Sequence, residues 1–194
     1  MKLVIPLTLG LSLAAPAFAL ADCPVRADLA QGITIAFVNG GIETFREVRP
    51  GVVAVYGQTS AGEAYVMTLG QGFHLIESRD LDGQDTGISY DYGMDAAALP
   101  VPQPGGNSTL SVQITDSVST FEQGQAQSYG KARPVDIGAC RYSALEGMIA
   151  YETDDNFVES ILYFPELGFG FLQWSESDDE PRSPLTGVEI RAGR

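Results

Sequence analysis

The chain has 194 residues, of which 25 are acidic and 11 basic, for a formal net charge of -14 at pH 7. Such a surface repels phosphate backbones and anionic lipid, so a nucleic-acid partner is excluded and a membrane-surface partner disfavoured. A length of this order fits one domain with a sizeable core.

Residues 1–21 read as a cleavable signal peptide. Lys2 precedes an apolar run from Leu3 to Leu13, and the small residues of Ala14 to Ala21 then offer Ala19-Leu20-Ala21 as a cleavage site. Pro6 and Pro16 break the apolar stretch, which falls short of the roughly 18 to 20 residues a membrane span needs. No integral membrane segment is expected after cleavage, and the mature chain, residues 22–194, is expected to be periplasmic or secreted. Cys23 follows Asp22, where bacterial lipid attachment would want Gly, Ala or Ser, so lipidation is disfavoured. In an oxidising compartment the two cysteines, Cys23 and Cys140, are expected to form a disulfide, with two free buried thiols as the alternative.

Short runs of β-branched and aromatic residues punctuated by Gly, Asn and Asp predict antiparallel strands, and no long window keeps a helical period. Ile33 to Val38 and Ile42 to Val48 flank the hairpin signal Asn39-Gly40-Gly41. Val52 to Tyr56 and Ala64 to Leu69 form a second pair, and Phe73 to Glu77 follows. A first unit, about 23–92, ends before a possible helical turn at Asp95 to Leu99 and a Pro/Gly-rich connector, about 100–106. Alternation then resumes from Leu110 to Thr115. A second unit, about 135–176, repeats the order of the first. Ile149-Ala150-Tyr151, Val158-Glu159-Ser160-Ile161 and Leu167-Gly168-Phe169-Gly170-Phe171 answer Ile35-Ala36-Phe37, Ile42-Glu43-Thr44-Phe45 and Leu69-Gly70-Gln71-Gly72-Phe73. This predicts an all-β antiparallel sandwich or open barrel built from two related β-meander units, in which the cysteines begin equivalent units. An acidic tail, about 177–187, with Pro181 and Pro184, is expected to be mobile, with Val188 to Arg191 as a short edge strand.

Chemistry-bearing residues are sparse. His74 is the only histidine and, lacking metal or triad partners, reads as structural. Asp80, Asp82 and Asp85 surround Gly83 as a candidate calcium loop, although Gly stands at the fourth position and no Glu at the twelfth. Glu152, Asp154, Asp155, Glu159 and Glu166 supply the carboxylates a hydrolase acting on envelope polymer would need, with no spacing that pairs them. No nucleophile elbow is present. Tyr163, Phe164, Phe169 and Trp174 are the candidate ligand surface, since aromatic faces give large contact area.

The stretch Tyr163-Phe164-Pro165-Glu166-Leu167-Gly168-Phe169 resembles the aromatic-x-Pro-x-Leu-Gly hairpin of uncharacterised exported bacterial β-sheet proteins of the cell envelope. The resemblance implies a curved antiparallel sheet with a concave apolar face, and it assigns no functional residue. The expected function is a non-enzymatic extracytoplasmic binding or scaffold protein whose partner is an envelope protein or a small ligand. A carboxylate-dependent hydrolase and a calcium-stabilised interaction module are the alternatives. No cofactor is expected beyond that possible calcium.

Overall fold

The structure, a computed structural model, describes residues 23–81, 83 and 87–193. The signal segment, Asp22 and the calcium candidates Asp82 and Asp85 lie outside the described residues. Among the described residues no helix is long and apolar enough to cross a membrane.

The protein is all-β. A short 3-10 turn, Arg26–Ala30, leads into β1 (Ile33–Phe37), β2 (Ile42–Arg49), β3 (Val52–Gln58), β4 (Ala64–Gly70), β5 (His74–Asp80) and β6 (Ile88–Asp91). A second 3-10 turn, Ala96–Ala98, is capped by the Asp95 carboxylate, which accepts from the Ala97 N–H. The remaining strands are β7 (Asn107–Thr115), β8 (Thr120–Tyr129), β9 (Arg133–Ile137), β10 (Cys140–Tyr151), β11 (Val158–Phe164), β12 (Phe169–Glu176) and β13 (Gly187–Ala192). They form one continuous antiparallel sheet in the order β12-β11-β10-β8-β7-β6-β5-β4-β3-β2-β1-β13, with β9 paired to the first half of β10.

The sheet is open but strongly curled, because its two ends share a core. Phe45 on β2 stacks on Phe169 on β12 with ring centroids 4.1 Å apart, and Phe37 on β1 meets Phe171 edge-on at 5.2 Å. Leu29, Ile33, Ile35, Val53, Val55 and Leu167 complete this main core. Alternation in β2, β3 and β4 sends Phe45, Val55 and Met67 inward as one cross-strand row. The Cys23–Cys140 disulfide, with Cα atoms 5.5 Å apart, ties the N-terminal segment to the start of β10. Beside it the Tyr142 hydroxyl donates to the Pro24 carbonyl at 3.0 Å.

The first two segments of the internal repeat occupy the same register, whereas in the third Gly70 ends β4 and its counterpart Gly168 lies in the turn before β12. In the β1–β2 hairpin Ile35 faces Glu43 and Ala36 faces Ile42; in β10–β11, Ile149 faces Glu159 and Ala150 faces Val158. The two repeated Gly-rich turns also touch, as the Gly170 N–H donates to the Gly72 carbonyl at 2.8 Å. Gly72 has φ +64°, and a Cβ there would lie 2.2 Å from the Gly168 carbonyl oxygen, so only glycine fits.

The acidic segment after β12 is tied down rather than loose. The Leu185 N–H donates to the Gln173 carbonyl on β12, the Val38 N–H next to β1 donates to the Thr186 carbonyl, and the Arg182 guanidinium lies 3.6 Å over the Trp174 ring while pairing with Glu176 at 2.8 Å. Prolines remove two donors from this stretch, yet its other backbone groups bridge the sheet's two ends.

Candidate functional site

Of the predicted ligand surface, Tyr163, Phe164, Phe169 and Trp174 are only 3, 0, 0 and 7% exposed. They are core residues, which corrects the expectation. From the second half of β11, Leu162 and Phe164 enter the main core and Tyr163 a second cluster with Phe73, Tyr129, Leu145 and Ile149; on β12, Phe169 joins the main core and Trp174 lies under the Arg182 guanidinium. Period-two alternation tells which residues share a face but not whether the opposite face is open to water.

The open concave face lies further along the sheet. A groove of about 270 Å³ runs across β5 to β8, β10 and β11. Alternate residues supply its lining: Ile88, Tyr90 and Tyr92 from β6 and its exit, Phe121, Gln123 and Gln125 from β8, Ile149 and Tyr151 from β10, and Phe157, Glu159 and Ile161 along β11. Leu75, Ile114 and Asp116 complete it, with Phe73 beneath. Apolar and aromatic walls with a few convergent polar groups are the usual makeup of a small-molecule site.

A buried polar network backs one wall. The His74 ring, 1% exposed, donates through Nε2 to the Pro100 carbonyl at 2.8 Å, so Nδ1 is left to accept from the Gln127 amide at 3.3 Å. Burial holds this imidazole below its ordinary range, in keeping with a neutral ring. Gln127 Oε1 in turn accepts from the hydroxyls of Tyr129 and Ser108, and Gln125 Oε1 accepts from Tyr92. Both His74 ring nitrogens are thus engaged within the protein, and the residue pins the Pro-rich connector to the back of the groove.

Inside the groove the chemistry converges on Glu159. The Tyr151 hydroxyl donates to Glu159 Oε2, and the Tyr151 and Phe157 rings lie 5.3 Å apart beside it. Burial pushes the Glu159 carboxyl above the usual carboxylate range, against the pull of the Tyr151 hydrogen bond. Glu159 in turn helps to raise the Tyr90 and Tyr92 phenols, whose main cause is burial. Asp116 shifts the opposite way because the backbone N–H groups of Val118 and Ser119 hold its carboxylate. Those bonds make it a turn cap.

Glu43, the partner of Glu159 in the repeat, shows the sealed version of the same arrangement. It accepts from the Tyr65 hydroxyl at 2.6 Å at one end of the main core, and Tyr65 reaches it by lying flat over Gly57, where a Cβ would fall 2.0 Å from the ring. Burial raises the Glu43 carboxyl as well. A carboxyl whose folded pKa exceeds its unfolded one adds stability below the unfolded value and loses it as pH rises through the folded one. Stability to urea should therefore fall as pH rises above about 4.5, and Glu43→Gln should make that fall shallower, the remainder belonging to Glu159, which is raised in the same direction. Equal slopes in wild type and variant between pH 4 and 8 would contradict the assignment.

The other acidic candidates are dispersed. The Glu166 carboxylate accepts from the Ser143 N–H, Glu152 packs over Gly124, and Asp155 is joined through its carbonyl to Asp178. None of Glu152, Asp154, Asp155 or Glu166 lines the groove. Among the described residues no three His, Cys, Asp or Glu side chains gather as a metal site would require. A second cleft, of about 320 Å³, lies between the connector and the Gly-rich turns, but its cation, Arg26, is already paired with Glu47 at 3.6 Å.

The alternation Phe121-Gln123-Gln125-Gln127-Tyr129 is the one local signal in the sequence for the groove's polar wall. No protein family, curated protein or solved structure matches the chain.

Proposed function

We propose that this is a non-enzymatic binding protein of the extracytoplasmic bacterial envelope, and that it takes a small, largely apolar ligand in the groove across β5 to β8, β10 and β11. The observation that carries the reading is the convergence of aromatic and aliphatic side chains from six strands on one open concavity, with Glu159 the carboxyl in it that is not engaged by its own turn. The disulfide supports a place outside the reducing cytoplasm. The hydrolase alternative needs a second free carboxylate opposite Glu159, and Asp116, the other acid in the lining, has its oxygens engaged by its own turn.

The neutral fluorophore N-phenyl-1-naphthylamine tests the groove. Its emission should rise on mixing with the wild-type protein, and Gln123→Trp or Ile161→Trp, which fill the groove from different strands, should each remove most of that rise; Gln123, which packs in neither cluster, should tolerate the change with the melting temperature lowered by no more than a few degrees. No rise with wild type, or the same rise with both well-folded filled variants, would defeat the proposal.

A further inference from the structure

Resting on the groove as a binding site, we infer that its ligand is an organic cation, a substituted or quaternary ammonium carrying an apolar body. The lining contains no lysine, arginine or histidine, and its ionisable carboxyls are Glu159 and Asp116. The Tyr151–Phe157 ring pair adjoins Glu159, and Tyr90 is close enough to feel its charge. Aromatic faces attract cations through the ring quadrupole, and more strongly where water is thinned out. Burial disfavours the ionised form of Glu159, and a cation seated beside it would draw the carboxyl back to that form and add Coulomb attraction in the same low-dielectric setting. An anionic ligand would meet repulsion from the net negative charge of the chain.

The molecule satisfies one of its own cations with the same two groups. The Arg182 guanidinium sits over the Trp174 ring and pairs with the Glu176 carboxylate. In the groove a ring pair and a carboxyl are present, and no described lining residue supplies the cation. The repeat sharpens the contrast. Its equivalent carboxyl, Glu43, is shut into the core beneath Tyr65, whereas Glu159 opens onto the groove.

Calorimetric titration with benzyltrimethylammonium, its uncharged carbon isostere neopentylbenzene and the anion benzenesulfonate separates charge from shape. The cation should bind at least tenfold more tightly than the isostere, and benzenesulfonate should not bind. Glu159→Gln, which keeps an acceptor for Tyr151, should weaken the cation tenfold or more, and Phe157→Leu about three- to tenfold. Glu43→Gln, outside the groove, should change neither cation nor fluorophore binding. If the cation and the isostere bind alike, or Glu159→Gln leaves the cation unaffected, the inference falls while binding of the neutral fluorophore keeps the groove as a site. If neither the fluorophore nor the cation binds, the groove reading itself is lost.

Discussion

Removing the Cys23–Cys140 disulfide should cost about 5 kcal/mol, the largest single loss expected in this protein. The bond spans 117 positions, and by the chain-entropy account a loop of that size restrains the unfolded ensemble by nearly that amount. For a domain of this length the melting temperature should drop by roughly 10 to 20 °C. The double variant Cys23→Ser/Cys140→Ala, compared with wild type by urea and thermal unfolding, measures the effect without reductant. The hydrogen bond from Tyr142 to Pro24 holds the N-terminal segment in part, so the folded state should persist at low temperature. A variant that melts within two or three degrees of wild type would show that the cross-link adds little.

Phe169→Ala should cost roughly 3 to 5 kcal/mol. The ring is fully buried, and its stack on Phe45 joins β12 to β2, strands that lie far apart along the sheet. Truncation would open a cavity where the two ends of the sheet meet and remove a ring pair worth about 1 kcal/mol beyond its area. Phe169→Leu keeps much of the volume and should lose less than half as much. If Phe169→Ala shifts the urea midpoint no more than Phe169→Leu does, the junction has enough slack to collapse around the missing ring.

The strand pattern was legible wherever β-branched or aromatic residues alternate between clear turn signals. The hairpin at Asn39-Gly40, the pairs from Val52 to Leu69, the turn capped by Asp95 and the short strand after Thr186 all form as their local chemistry dictates. The segment from Thr120 to Ile137 is weakly marked, because between Phe121 and Tyr129 β8 is mostly Gln, Gly, Ala and Ser, whose strand preference is weak and whose place is set by neighbouring β7 and β10. The cysteine pairing followed from count and compartment alone.

The candidate site was less legible for a geometric reason. Its residues come from six strands spread from Phe73 to Ile161, and only the curl of the sheet brings them to one concavity. The aromatics of the second unit looked like a surface because they are dense in sequence, yet density there reflects burial in the core. Glu159 was visible as one of five acids. Nothing short of the register with Ile149 and the hydroxyl of Tyr151 distinguishes it from the other four.

The pairing of β13 with β1 bears on how the chain acquires its shape. β1 is made well before β13, so one flank of the first hairpin stays an unpaired ladder of N–H and C=O groups until Gly187–Ala192 has been made. Such an edge invites pairing with other chains. Contacts between segments this distant in sequence also slow folding, because the loop must close before they reward it. The fold is thus ill suited to forming piece by piece as the chain emerges. A version shortened before Gly187 should reach a native-like sheet but self-associate through β1, with light scattering that grows with concentration.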